Sequence, residues 1–543
     1  MTKLLEEDIN RLADRISRAG ANLLGTRPYW LARRTELKAM IKDLHCPHLF
    51  VTFSAADVQW PDLHRHMPSP LPPDATEQQR ARIYNRDLND NPGIAAYYFQ
   101  KRWELYLKHV LKPKFKITDY WYRYEWQHRG SSHIHAFFWL RDAPNVEDLD
   151  LEDPESVQAF IQFWDPLVST LNPSITEPKA TIHPSAQLPN TLTYTQRELA
   201  QLLNRVQRHT KCTSYCLRRP KGSPADAPLV CRFKYPKELS DITALIRDEK
   251  GILRLITKRN DPLLNEHNAL QILGWRANVD FTPCISLGAV ETYITKYCSK
   301  TEVKSESYGH VFNKVMTQLN DTDPVHVAFQ KLLGKLLIER DWSAQECMHI
   351  LLGCKMFGST RQFRSLNISS KRTNMVLSPE DRGDDDSDVT ATTWIDRYEA
   401  RPLGVLDDVS LLQLFRRHKW KKDHFELCPR TVYVVNVWPA YLPDKSNSVM
   451  YEEYCRAKLQ LHHPYRNIND LQKDEDGNDI GWVAAYERCK DECDFHDEDP
   501  LMKEEDLESE EPEIEEEFED EDETEEERIL RDWQELARRG PGT

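Results

Sequence analysis

An α+β fold, with a central antiparallel sheet flanked by helices, is what this 543-residue sequence predicts. Two observations lead there. Tyr120–Trp126 and Ile134–Leu140 are rich in aromatic and β-branched residues, and the five residues between Gln127 and His133 contain the glycine that a hairpin loop favours. Leu49–Ser54 is a further strand-like run, and segments of helical periodicity separate these strands from one another and from the rest of the chain.

The elements follow in order. Residues up to about Leu44 read as helical, with Ile9, Leu12 and Ile16 at helical spacing. After the Leu49–Ser54 strand, a Pro-rich loop spans Pro61–Pro73, and a helix is expected around Ile94–Val110 with Tyr97, Tyr98, Phe99 and Trp103. The hairpin comes next, its loop taken as His128–Ser132. Thr195–His209 is an amphipathic helix with Leu199, Leu202, Leu203 and Val206 on one face and a capping-box pattern at Thr195–Glu198. A basic, Cys-rich segment covers Thr210–Lys237. Helices are expected near Ala289–Lys300, after Asp323-Pro324, and after a second capping-box pattern at Ser343–Glu346. An acidic loop lies around Asp381–Asp388, and mixed α/β structure continues to about Tyr486.

The net charge of −16 conceals two parts. Between Asp491 and Glu527 there are 24 acidic residues and one basic residue, Lys503, which leaves +7 for the remainder. So acidic a tail cannot form a core; it is expected to be disordered and either to compete with nucleic acid for the mildly basic body or merely to solubilise the chain. Twelve Cys without a secretory h-region point to a reducing compartment, where clustered Cys read as metal ligands. No apolar run reaches the length of a membrane span. No Gly-x4-Gly-Lys-Ser/Thr loop occurs, since Gly334-Lys335 is followed by Leu336, so the sequence contains no P-loop ATPase.

Three constellations carry chemistry. His133 and His135 are two apart on a strand and share a face. Composition alone gives on the order of 0.7 such pairs by chance, and His64-Arg65-His66, in the Pro-rich loop, reads as a decoy. With the loop at 128–132, Gln127 faces His133 and Glu125 faces His135 across the hairpin, so two imidazoles and an oxygen donor converge as in catalytic sites for Mg²⁺ or Mn²⁺. Half-buried structural histidines are the competing reading. Tyr293 and Tyr297 stand one helical turn apart with Lys296 and Lys300 nearby; a nucleophilic Tyr needs an adjacent cation or a metal-polarised phosphate, and two packed core tyrosines are the alternative. His209-x2-Cys212-x3-Cys216-x14-Cys231 offers three thiolates and an imidazole for a closed, structural Zn²⁺ site, with Lys211, Arg218, Arg219, Lys221 and Arg232 around it. Cys489, Cys493 and His496 form a later trio that lacks an evident fourth ligand.

Taken together, these segments resemble the Rep region of Helitron transposases, the HUH-endonuclease part of eukaryotic rolling-circle transposons. The resemblance rests on Pro47–Asp57 with Trp60, Glu125–His135, Cys231–Pro236, Lys258–Asp261, Trp275–Asp280, Tyr293–Lys300, Ser343–Glu346 and Tyr454–Arg456, in the family's order across roughly residues 25–470. It implies an HUH core with His133 and His135 as metal ligands, Gln127 or Glu125 as the third, Tyr293 and Tyr297 as paired nucleophiles with Tyr293 acting first, and the Cys-rich insert as a zinc element. The implied organisation is a helical region at 1–45, an endonuclease domain at 46–310 with its insert at about 205–240, a mostly helical Rep-associated region at 311–490, and the tail at 491–543.

The implied activity is nicking and joining of single-stranded DNA through a 5′-phosphotyrosine, in the nucleus, with a helicase from another domain or chain opening the duplex. An inactive or domesticated module binding single-stranded DNA and zinc, a water-activating nuclease, and a rolling-circle replication initiator remain open alternatives. One departure stands out: where the family carries Gly-Phe after Cys-Arg-Phe, this chain has Lys234-Tyr235.

Overall fold

The computed structural model describes residues 21–126, 130–187, 195–213, 216–220, 223–247 except 225, 251–286 except 252, 290, 342–369, 393–428 except 405 and 422, 433–490 except 440, and 501. The chain divides into two compact units, the first comprising Met1–Leu31, Cys46–Ser359 and Glu513–Thr543, the second Ala32–His45 and Thr360–Pro512. Mixed α/β structure characterises both.

Helix α1 (Arg27–Leu44) precedes strand β1 (Leu49–Ser54), which has the bounds the sequence predicts. Helix α2 (Glu77–Asp90) opens on a full capping box from Thr76 and Gln79, and α3 (Pro92–Tyr106) starts on the proline that the first helical turn tolerates. The hairpin follows as β2 (Ile117–Trp126) and β3 (Ser132–Leu140). Helix α4 (Pro154–Trp164) is capped by Asp153. Helix α5 (Gln196–Leu202) is capped by Thr195, which accepts from the Glu198 amide, and one wider turn extends it to Gln207. The insert holds only β4 (Leu217–Arg218) and β5 (Val230–Cys231). A small hairpin, β6 (Ala244–Arg247) and β7 (Leu253–Ile256), leads to α6 (Ala269–Trp275) and β8 (Val279–Pro283). Helix α7 (Ala344–Leu351) and β9 (Phe357–Ser359) complete the first unit.

Five of these strands form one antiparallel sheet in the order β8-β1-β3-β2-β9, which places β3 at its centre. Alternation along each strand sorts the side chains by face. One face carries Leu49, Val51 and Phe53 of β1, Tyr122, Tyr124 and Trp126 of β2, Ile134, Ala136 and Phe138 of β3, and Val279 and Phe281 of β8, all buried in the main core. Helices α3 and α6 cover it: the rings of Trp103 and Trp275 each lie 5.1 Å from that of Phe53. The opposite face carries the polar members of the same strands.

The hairpin register differs from the expected one. Glu125 pairs with His133 and Arg123 with His135, because the ladder begins at Trp126–Ser132 and the loop is 127–131. Moving the loop by one position at each strand end shifts the pairing by two residues, which preserves the face of every side chain.

The second unit is built from β10 (Gln362–Asn367), α8 (Trp394–Glu399), α9 (Leu411–Arg417), β11 (His418–Lys421), β12 (His424–Leu427), β13 (Tyr433–Trp438), α10 (Ser448–His462) and α11 (Trp482–Cys489). Strands β10 and β13 pair in parallel and β11 with β12 antiparallel, so this region holds more strand than a mostly helical reading expects. The cause is local: Tyr433–Trp438 is a β-branched, aromatic run that packs Val435 and Val437 against Phe415 and Tyr454.

Candidate functional site

The polar face of the main sheet gathers the first set of candidate residues. In register across the sheet, Arg123 pairs with His135, His135 with Thr52 and Thr52 with Asp280; one step along, Glu125 pairs with His133 and His133 with Ser54. The rings of His133 and His135 are 4.7 Å apart, and both residues are buried. The Glu125 carboxylate reaches diagonally to His135 Nε2, the contact that the sequence assigned to direct opposition. Ser54 Oγ lies 3.1 Å from His133 Nδ1, which fixes the ring and directs its Nε2 to any ligand. The Thr52 hydroxyl donates to Asp280 Oδ2 at 3.1 Å, and Phe50 stacks on His135 at 6.0 Å. Arg123 is held with its guanidinium 3.9 Å above the Trp30 ring.

Electrostatics on this face set the states of Glu125 and His133. Burial pushes the Glu125 carboxyl up, but His135 facing it, together with Arg123 and His133, outweighs burial and holds it far below the usual carboxylate range. Burial, reinforced by the neighbouring His135 and opposed by Glu125, pushes the His133 imidazole down to about 3. At neutral pH the pair therefore presents an ionised carboxylate and a neutral imidazole, the forms that bind a cation. Two imidazoles and a carboxylate are a mixed donor set, in which the imidazoles suit a transition metal ion better than Mg²⁺. Gln127, Tyr293, Lys296 and Tyr297 lie outside the described residues.

The sequence reading named Glu125, His133 and His135 but missed Ser54, Thr52, Asp280 and Arg123. Their signal was available only as the polar phase of each strand's alternation. The His64 decoy is structural: its ring stacks on Tyr84 at 3.4 Å, and its Nε2 lies 2.7 Å from the Asp57 carbonyl oxygen.

The second set assembles as the spacing predicts. The donor atoms of His209, Cys212, Cys216 and Cys231 all lie within 4.8 Å of one another, a group that can hold a metal ion such as zinc. His209 Nε2 is 3.3 Å from Cys212 Sγ, 3.6 Å from Cys216 Sγ and 3.5 Å from Cys231 Sγ. A tetrahedron with Zn–N and Zn–S bonds of ordinary length has an N···S edge of about 3.6 Å, so the cluster has the size of a zinc site. Desolvation, reinforced by the adjoining Cys216 and Cys231 thiols, pushes the Cys212 thiol up to about 11. Pairing of Leu217 with Cys231 joins the two halves of the cluster, the Thr213 amide donates to Cys216 Sγ at 3.2 Å, and Tyr235 stacks on His209 at 4.7 Å. Lys234 adopts φ +55° and its amide returns to the Cys231 carbonyl at 2.8 Å, which explains why glycine suits this position in the resembling family. Of the later trio, Cys489 Sγ lies 3.6 Å from His463 Nε2, while Cys493 and His496 lie outside the described residues.

Comparison with known proteins bears on the segment that carries β1, the hairpin and both histidines. Residues 1–138 match the family model described as the Helitron helicase-like domain at the N-terminus. This segment is Helitron-related. The Helitron-like match ends within β3, three residues beyond His135. No curated protein matches the chain. Among the described residues, no helix is long and apolar enough to cross a membrane.

Proposed function

We propose that this chain is a Helitron-type transposase Rep protein: an HUH tyrosine endonuclease and strand transferase acting on single-stranded DNA. The observation that carries the reading is the placement of Glu125, His133 and His135 on one face of the central strand pair, inside the Helitron-related segment. His133 and His135 would hold the divalent cation with Glu125, and Gln127 is a further oxygen donor from the same hairpin. A bound Mg²⁺ or Mn²⁺ supplies Lewis-acid polarisation of the scissile phosphate. The protein's own residues do the rest. Ser54 orients His133, Arg123 adds positive charge beside the anionic substrate, and Tyr293 is the nucleophile, with Lys296 favouring its phenolate.

In the reaction the Tyr293 oxygen forms a bond to phosphorus as the bond from phosphorus to the 3′ oxygen breaks. The phenol gives up its proton and the departing 3′ oxygen gains one. The products are a free 3′-OH and a 5′-phosphotyrosine, which keeps the phosphodiester energy, so rejoining by a 3′-OH needs no ATP. Tyr297 serves a second strand before the first is released. Zinc at His209, Cys212, Cys216 and Cys231 is structural, since four protein ligands leave no open position. A helicase supplied elsewhere opens the duplex, and the reaction belongs in the nucleus with its DNA substrate.

The test is an SDS-resistant protein–DNA adduct after incubation with single-stranded oligonucleotides and Mn²⁺. His133→Ala, His135→Ala and Tyr293→Phe lose the adduct with the fold intact, whereas Tyr297→Phe keeps the first cut and loses strand transfer. Undiminished cleavage in EDTA, or by the double Tyr→Phe variant, refutes the mechanism and points to attack by water.

A further inference from the structure

A line of side chains runs from the His/Cys cluster to the polar face of the main sheet. It starts at the ligand His209, whose ring is stacked on Tyr235 at 4.7 Å with the planes 18° apart. The Tyr235 hydroxyl donates to Asn265 Oδ1 at 3.2 Å, and the Asn265 side-chain nitrogen donates to Asp280 Oδ1. Asp280 Oδ2 accepts from the Thr52 hydroxyl at 3.1 Å, and Thr52 Oγ1 accepts in turn from the Asp280 backbone amide at 3.2 Å. Thr52 is buried and stands opposite His135 in the β1–β3 register, on the face that carries both histidines. Directly opposed side chains on a sheet have Cβ atoms about 4.5–5.5 Å apart, so the line ends beside a residue of the cation site.

The donors and acceptors leave one arrangement. An ionised carboxylate cannot donate, so Asn265 must turn its nitrogen to Asp280, and its oxygen is then left for the Tyr235 hydroxyl. Backbone contacts anchor both ends of this step: the His209 amide donates to the Leu263 carbonyl at 2.8 Å and the Asn265 amide to the Gln207 carbonyl at 3.1 Å. Polar links of this kind specify a single geometry where apolar packing would tolerate several. The turn that presents Tyr235 is itself built around the ligand Cys231, two residues from which Lys234 closes back onto the Cys231 carbonyl.

We propose that Tyr235, Asn265 and Asp280 are positioning residues that hold Thr52 in place opposite His135, so that zinc in the His/Cys cluster raises the affinity of the Glu125, His133 and His135 face for its divalent cation. Loss of zinc releases the Tyr235 turn and breaks the line at its first link, while the backbone of the sheet stays paired. This coupling rests on the cation reading above and concerns the regulation of that same site. By linkage, the cation then strengthens zinc retention by the same factor.

The test titrates the full chain with Mn²⁺ and reads the free ion by electron paramagnetic resonance, with His135→Ala setting the background from other carboxylates. A variant combining Cys212→Ser and Cys231→Ser, shown by elemental analysis to hold no zinc, is expected to bind Mn²⁺ about ten-fold more weakly than the zinc-loaded parent. Tyr235→Phe keeps the ring on His209 and the parent's zinc content but cannot donate to Asn265, and it weakens Mn²⁺ binding by the same factor. Combining Tyr235→Phe with the zinc-free variant gives no further loss, because both changes break one line. Thr52→Val weakens Mn²⁺ binding, whereas Thr52→Ser, which keeps the hydroxyl, retains the parent's affinity. Parental affinity in Tyr235→Phe, additive losses in the combination, or equal losses in Thr52→Ser and Thr52→Val overturn the proposal. The two readings fail separately: Mn²⁺ binding above background that is unchanged in the zinc-free variant refutes the coupling alone, and a parent that binds no more Mn²⁺ than His135→Ala refutes the cation site and the coupling with it.

Discussion

Withdrawing the metal from the insert should unfold it while leaving the main sheet in place. Among the described residues from 209 to 237, Cys216 is the one buried side chain, and the only ladder is the two-residue pair β4–β5. Hydrophobic burial there is therefore confined to partly covered side chains such as Leu217 and Tyr235, each contributing less than the roughly 1.5–3 kcal/mol of a fully buried Leu. Structural zinc in small domains contributes about 10–16 kcal/mol, several times more. The five-stranded sheet, by contrast, is held by its own aromatic core. Removing zinc with a chelator, or substituting Cys216→Ser, should expose Lys211, Arg218, Arg232 and Lys234 to trypsin at least ten-fold faster, on the order of what losing 1.4 kcal/mol of local protection gives, with cleavage elsewhere unchanged. Elemental analysis should find one zinc per chain. Because desolvation, with the neighbouring thiols, pushes Cys212 up to about 11, metal binding at neutral pH should release protons that a weakly buffered titration detects. An unchanged tryptic pattern after complete metal removal would refute the argument that the metal organises this segment.

Two further predictions concern the first unit. A Cβ built on Gly358 of β9 would lie 2.5 Å from Cε1 and Oη of Tyr122, a ring itself packed 5.1 Å from Trp103, so Gly358→Ala should cost about 1–3 kcal/mol by overpacking, read as a lowered urea midpoint; an unchanged midpoint would show that Tyr122 can move. His267 is buried, and burial first, with Arg259 adding to it and a hydrogen bond to the Asn265 carbonyl opposing, brings its imidazole down to about 4. The folded state thus binds fewer protons than the unfolded state. This contribution is intact above pH 6.5 and declines as pH falls towards 4, by about 3 kcal/mol in total; urea titrations of the parent and His267→Gln across that range should show the dependence shrinking in the variant.

Local sequence determined a good deal of this protein. The bounds of β1, the β2–β3 hairpin, the common face of His133 and His135 and the four ligands of the His/Cys cluster all follow from short-range rules: alternation on a strand, turn chemistry and ligand spacing. Those rules failed first at the hairpin register. Whether the loop is 128–132 or 127–131 depends on where Trp126–Ser132 joins a ladder that β1 and β9 also template, and Gly130, at φ +75°, sets the turn accordingly. Parity survived the shift because a two-residue change in pairing cannot move a side chain to the other face.

Tertiary structure alone decided the surroundings of the histidines. Thr52 and Ser54 come from a strand about 80 residues earlier and Asp280 from one about 145 later, a neighbourhood set by the strand order β8-β1-β3-β2-β9. The same holds for His463 beside Cys489, and for Trp30 beneath Arg123, since periodicity reports which face a residue occupies but not which distant element will cover it.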